Sequence, residues 1–324
     1  MINQVKKPLV AAYLLCTILC TSVSKTKAQT ISVSPGVFEV GINAGVYAFL
    51  GDLGGNRGIG TFFIKDYNIP FSKLYKGVFA TYYVKEWLGV KLQLNQGFLE
   101  AADAAAKDKG GAERFRRYRN LSFRTNIFEG MLGAEIYPLA LSKNYEAEYT
   151  KFRPFVYLGA GLFTFKPQAP ITNPGGGISW VDLKPLRTEG QGIIAGKKEY
   201  SLTSPIVGVG TGFKYMLSNK WFVGVEVLHR FTFTDYVDDV STVYVDPAIY
   251  TTSPLVTPSQ ALLATQLNNR AVGGVFGSSF NAPGAQRGNP LNNDSYFSYH
   301  IKVGLRLVAD ERKRSLRRLK CPSF

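Results

Sequence analysis

From Phe297 to Leu307 every second residue is apolar: Phe297, Tyr299, Ile301, Val303, Leu305 and Leu307, with Ser298, His300, Lys302, Gly304 and Arg306 between them. A period of two belongs to a strand whose faces meet different surroundings, and about 11 residues is the length a tilted strand needs to cross hydrocarbon. Trp221 to Phe233 repeats the pattern, with Trp221, Val223, Val225, Val227 and Phe231 opposite Gly224, Glu226, Arg230 and Thr232, interrupted by Phe222, Leu228 and His229. Weaker copies run over Phe38 to Phe49, Trp87 to Gly97 and Phe128 to Pro138, and further candidates over Tyr75 to Val84, Phe155 to Phe165 and Pro205 to Met216. These make eight predicted strands.

The connections alternate in length. Long segments follow the first, third, fifth and seventh strands (Gly51 to Phe71, Ala101 to Leu121, Lys166 to Tyr200, Asp235 to Asp294), and short ones follow the second and sixth, with Ser142 to Arg153 intermediate. After Ala28 there is no long apolar run, so only a closed barrel would span a membrane. The predicted fold is all-β: an eight-stranded antiparallel transmembrane up-and-down barrel in the outer membrane, with long extracellular loops and both termini in the periplasm. Turning the polar faces inward lines the lumen with Glu39, Glu129, Glu135 and Glu226 beside Lys91, Lys214, Arg230, Lys302 and Arg306. Side chains fill the interior of an eight-stranded barrel, so the expectation is an ion-paired plug and no wide pore.

Composition agrees with sheet: 33 Gly, 22 Phe and 18 Tyr suit pleated surfaces better than helices. Lys6 and Lys7, the apolar run Pro8 to Val23 and the site Thr26-Lys27-Ala28 read as a cleaved signal peptide over 1–28. The barrel is then expected over 29–308 and a basic periplasmic tail over 309–324. The formal charge is +15, of which Lys6, Lys7, Lys25 and Lys27 precede the cleavage point, leaving +11. For an exported chain that charge points to anionic lipid and lipopolysaccharide rather than nucleic acid. Leu15 and Leu19 stand where lipidation at Cys16 or Cys20 would require a small residue. Cys321 alone remains after cleavage, so neither an internal disulfide nor a Cys/His metal site with His229 and His300 is expected.

Few residues suggest chemistry, and no cofactor or catalytic residue is predicted. Gly51-Asp52-Leu53-Gly54-Gly55 lacks the Lys-Ser/Thr of a phosphate loop and reads as a turn needing positive φ. Asp235, Asp238 and Asp239 have oxygen ligands suited to calcium, but their spacing fits no defined calcium loop; solvated loop acids are the expectation. Ser298 and His300 share a face with Arg306, yet i and i+2 on a strand lie roughly 7 Å apart, too far for a nucleophile and its base. Arg116, Arg117 and Arg119 are anion-binding candidates for lipopolysaccharide phosphates, against a solvated loop paired with acids such as Glu113.

Several strings are familiar together: Val46-Tyr47-Ala48-Phe49-Leu50-Gly51-Asp52-Leu53-Gly54, Arg119-Asn120-Leu121-Ser122-Phe123-Arg124, the run from Trp180 to Gly192, and Phe231 to Ser241. They resemble the PorG-like family of outer-membrane barrels over about Phe38 to Val308. The resemblance implies a non-enzymatic accessory or anchor of a type IX-like protein secretion machine, contacting periplasmic ring proteins including a lipoprotein. A second reading is a structural or surface-binding barrel whose extracellular loops engage lipopolysaccharide or another ligand. The insertion Ser259 to Asn293, with a helix-compatible stretch Ala261 to Asn269, is foreign to the family pattern and favours a role for the loops.

Overall fold

The computed structural model describes residues 36–53, 71–106, 113–141, 151–272 and 279–307; the expected signal peptide and basic tail lie outside them. Eight long strands form the barrel: β1 (Phe38–Leu50), β2 (Lys73–Lys85), β3 (Leu88–Ala102), β4 (Ser122–Ile136), β5 (Phe152–Thr164), β8 (Thr203–Met216), β9 (Trp221–Thr232) and β10 (Ser295–Leu307). Each pairs antiparallel with the next, and β1 closes on β10 from Phe38↔Leu307 to Leu50↔Ser295 without a slip. Closure leaves no sheet edge, the condition for strands to stand in lipid. The up-and-down barrel expected from the alternation is therefore the fold.

Two shorter strands, β6 (Pro167–Thr172) and β7 (Ile178–Asp182), form a hairpin that prolongs the wall above β5 and pairs with β4 at Arg124↔Gln168 and Thr125↔Pro167. The outer face of the barrel is apolar, with Leu132, Leu158 and Ile301 each more than half exposed. Aromatic rings border it: Phe38, Tyr82, Phe152, Tyr215 and Trp221 at the short-turn end, Phe98, Phe231 and Phe233 at the long-loop end. This is the belt a membrane barrel presents to hydrocarbon and its interfaces.

The residues that interrupt the alternation in β9 fill the interior. Phe222 and Leu228 point inward; the Phe222 ring occupies the space a side chain at Gly304 would need, and Leu228 lies against Gly208 and Gly210. His229 faces outward beside Phe231, ring centroids 4.3 Å apart. β3 and β4 are longer than expected and pair over their whole length, to Ala102↔Ser122. Ser122, Arg124 and Asn126 lie above the apolar belt, where an outward residue gains nothing by being greasy, so the alternation ends before the strand does.

Above the long-loop end the connections fold into a cap. It contains α1 (Glu113–Arg119), α2 (Ala248–Thr252) and α3 (Pro258–Asn268). Thr257 and Gln260 form a capping box at the start of α3, satisfying amides the helix leaves free. Leu183, Leu186, Val245, Tyr250, Ala264 and Leu267 belong to a separate hydrophobic core within the cap. The expected helix-compatible stretch is α3, and its buried face is what packs here.

Leu158 lies midway along β5 on the lipid face. Leu158→Arg should lower the unfolding free energy by about 2–4 kcal/mol, measured by denaturant titration in vesicles, because an arginine at mid-depth has no water to reach.

Candidate functional site

The lumen is filled by a charge network to which β1, β3, β4, β8, β9 and β10 each contribute. Glu39, Lys91, Glu129, Glu135, Lys214, Glu226, Arg230, Lys302 and Arg306 are each at most 1% exposed. Starting near the short-turn end, Arg306 Nη2 lies 3.1 Å from Glu39, and Lys214 Nζ bridges Glu39 (2.8 Å) and Glu135 (2.6 Å). Lys302 joins Glu135 (3.0 Å) to Glu226 (2.6 Å), and Lys91 spans the same two carboxylates at 3.3 and 2.9 Å. Nearer the cap, Arg230 pairs with Glu129 at 2.7 Å, and Glu129 also accepts hydrogen bonds from Asn95 and Tyr296. Cations thus alternate with carboxylates, the arrangement buried charge requires.

The alternation in the sequence missed several members. Tyr83 donates to Glu39, and Tyr137 donates to Glu135. Arg153, assigned to a connection in the sequence, is an inward residue of β5 whose guanidinium lies 4.6 Å over the Tyr137 ring. Tyrosines gave no signal because a ring with one polar tip suits either face.

Ser298 and His300 have separate partners. Arg230 Nη1 donates to Ser298 Oγ at 2.9 Å, and His300 Nε2 lies 3.4 Å from Glu226. They form no nucleophile–base pair, and both belong to the polar filling.

The cap is held by two buried arginines. Arg119 forks onto Asp103 at 2.8 and 2.9 Å and donates to the carbonyls of Asp52 and Arg287, so the segments after β1, after β3 and before β10 meet at one guanidinium. Arg287 donates to Glu189 Oε1 at 2.8 Å and to the carbonyls of Asn268 and Asp239. Of the three anion-binding candidates, Arg119 is buried, Arg116 half-buried and Arg117 exposed.

The acids after β9 are buried, where solvated loop acids were expected. Asp239 accepts hydrogen bonds from Thr188 and Tyr200, and burial, offset by Arg287, moves its pKa up to about 6. Burial pushes Asp235 up to about 8. Burial also raises Asp52, Asp238 and Asp294, and the charge of their acidic neighbours adds to the rise. Gly51 itself is not among the residues with positive φ; it is small because Asp294 Oδ1 and the Phe49 ring occupy the place of a side chain, and Gly54 and Gly55 of the expected turn lie outside the described residues.

Glu135 touches Lys91, Lys214 and Lys302. Glu135→Gln should cost about 3–5 kcal/mol in denaturant unfolding, since it takes from three buried ammonium groups one of the two carboxylates each of them meets. Adding Lys214→Met should return part of that loss, whereas equal stability of the single variant and the parent would show that the network is not a stabilising constraint.

No family model matches the chain, and no curated protein matches it. Solved structures do match. Ail, the attachment invasion locus protein of Yersinia pestis, is 7% identical, with 84% of this chain and 99% of that chain covered and a TM-score of 0.34. OprG from Pseudomonas aeruginosa is 13% identical, with 88% and 100% covered and a TM-score of 0.35. A major outer membrane protein from Thermus thermophilus is 13% identical, with 83% and 99% covered and a TM-score of 0.36. The expected PorG-like membership is corrected accordingly: no family model supports it, and the matching barrels named here are of other kinds. The type IX secretion role and its periplasmic ring partners fall with it. The closed wall and apolar belt make the chain an outer-membrane β-barrel.

Proposed function

We propose that this protein is a non-enzymatic, sealed barrel that presents its cap at the cell surface as a structural, ligand-engaging face, with lipopolysaccharide of the outer leaflet as the ligand. The observation that carries the reading is the pairing of a plugged lumen with an ordered cap. Buried ion pairs and rings fill the interior, so the barrel serves as a pedestal, and the cap has its own packed core. In this reading cleavage after Ala28 releases the exported chain, the termini and basic tail lie in the periplasm, and the long loops lie outside. Exposed cations stand on the wall and in the cap where lipopolysaccharide phosphates would lie. Lys76 is exposed on the outer face of β2 between Leu74 and Val78, Lys166 is 58% exposed above β5 and pairs there with Asp182 at 2.7 Å, and Arg117 is exposed on α1.

Two measurements test this. Purified protein in planar bilayers should show no steady ion conductance; a stable open channel would overturn the sealed-barrel reading. Refolded protein should bind phosphorylated lipid A more tightly than dephosphorylated lipid A. Substituting Lys76, Arg117 and Lys166 together by Gln should weaken the first about tenfold, a loss of roughly 1.4 kcal/mol, and leave the second unchanged. Equal binding of both lipids by the parent would remove lipopolysaccharide phosphate as the ligand.

A further inference from the structure

Two arginines stand on the outer wall just above the apolar belt with no carboxylate to answer them. Arg124, an outward residue of β4, donates from Nε to Gln168 of β6 at 3.1 Å, and its guanidinium carbon lies 3.9 Å from the centroid of the Trp180 ring on β7. Arg270, in the segment after α3, donates from Nη1 to Ser122 Oγ at 3.0 Å, and Asn120 donates to its carbonyl. Ser122 and Arg124 are two apart on β4, so both guanidinium groups are anchored to one face of one strand. Each arginine is half-buried, and among the described residues neither has a salt bridge.

The acids around them are already answered. Glu100, opposite Arg124 on β3, pairs with Lys73 at 2.9 Å. Asp182, opposite Gln168 on β7, pairs with Lys166 at 2.7 Å and accepts from Gln168. Asp103, whose charge reaches Arg270, is forked onto Arg119. Each of the two arginines thus keeps its charge and most of its N–H donors, in a planar fork that matches a phosphate. The Trp180 stack and the Ser122 contact hold the forks in place beforehand, which lowers the entropy lost on binding.

Depth decides which anion fits. Phe98 pairs with Asn126 and is 47% exposed on the same outer face, so Arg124 lies about 7 Å beyond that ring along the wall. Farther down, Phe128, Leu132 and Leu162 are each more than half exposed on the hydrocarbon side. The headgroup layer begins where such a belt ends. A ligand at this height meets an apolar wall below and two cations above, surroundings that suit an anionic amphiphile better than a soluble ion.

We propose that Arg124 and Arg270 clasp a phosphate of lipid A in the outer leaflet, with the acyl chains of the lipid lying over Phe98, Phe128 and Leu162. The clasp rests on the reading that lipopolysaccharide is the ligand, and gives that ligand a specific seat on the wall.

The test uses the full chain refolded in detergent. Of its three tryptophans, Trp87 and Trp221 are replaced by Phe so that Trp180 alone reports. Phosphorylated lipid A should shift Trp180 emission saturably; dephosphorylated lipid A and millimolar inorganic phosphate should not. By calorimetry, Arg124→Gln with Arg270→Gln should weaken phosphorylated lipid A at least about tenfold and leave the dephosphorylated lipid unchanged. Lys220→Gln, at an exposed cation of the turn between β8 and β9 at the opposite end, should change neither. Should the double variant fail to give the heat-modifiable band of a folded barrel, Arg270→Gln alone, which leaves the Trp180 stack untouched, should weaken the phosphorylated lipid at least about threefold. Equal affinity of the parent for both lipids ends the lipopolysaccharide reading and the clasp with it. A preference in the parent that survives undiminished in the folded variant, or a Trp180 shift with inorganic phosphate equal to that with lipid A, overturns the clasp alone.

Discussion

Glu135 sits among three lysines toward the short-turn end of a narrow barrel, and the rest of the interior follows from the need to leave no buried charge alone. Lys214, Lys302 and Lys91 each reach on to another carboxylate, Glu39 or Glu226, so that residues far apart in sequence become one connected unit. Removing water from such groups is tolerable only when every partner is present. The lumen is therefore closed by the same contacts that stabilise it. A passage would require breaking ion pairs at several levels at once, and that moves the search for function away from the barrel axis and onto the loops.

Much of the architecture was legible because the membrane writes it into the sequence. Where lipid lies on one side and packed charge on the other, residues must alternate, and β10 shows this from Phe297 to Leu307. The signal fades wherever that contrast disappears. Ser122 accepts from Arg270 and Arg124 lies over the Trp180 ring, so these outward residues of β4 meet other loops rather than lipid, and the predicted strand began only at Phe128. Arg153 was assigned to a connection because its strand begins at Phe152, only one residue before it.

The cap was least legible, for a different reason. Asp235 and Asp238 are polar residues in a long connection, which in isolation means solvent. Their burial comes from packing between segments far apart in sequence: Leu53 donates to Asp238, and Arg119 holds Asp52 and Arg287 together. No local period encodes such contacts. The resemblance to a secretion-associated family rested on strings from these same connections, and strings in loops indicate kinship only when a family model bears them out.

Barrel and cap are also joined mechanically. Tyr47 stacks on Tyr75 at 4.0 Å and meets Tyr296 edge-on, Tyr296 leans on Phe163, and the column continues through Phe165 and Tyr200 to Tyr236. These rings begin beside the Arg230–Glu129 pair, since Arg230 lies 5.2 Å over Tyr47, and they end in the segment that holds Asp235. A close-packed column of rings resists bending, because any tilt opens voids along its length. The cap therefore cannot rock freely on the wall.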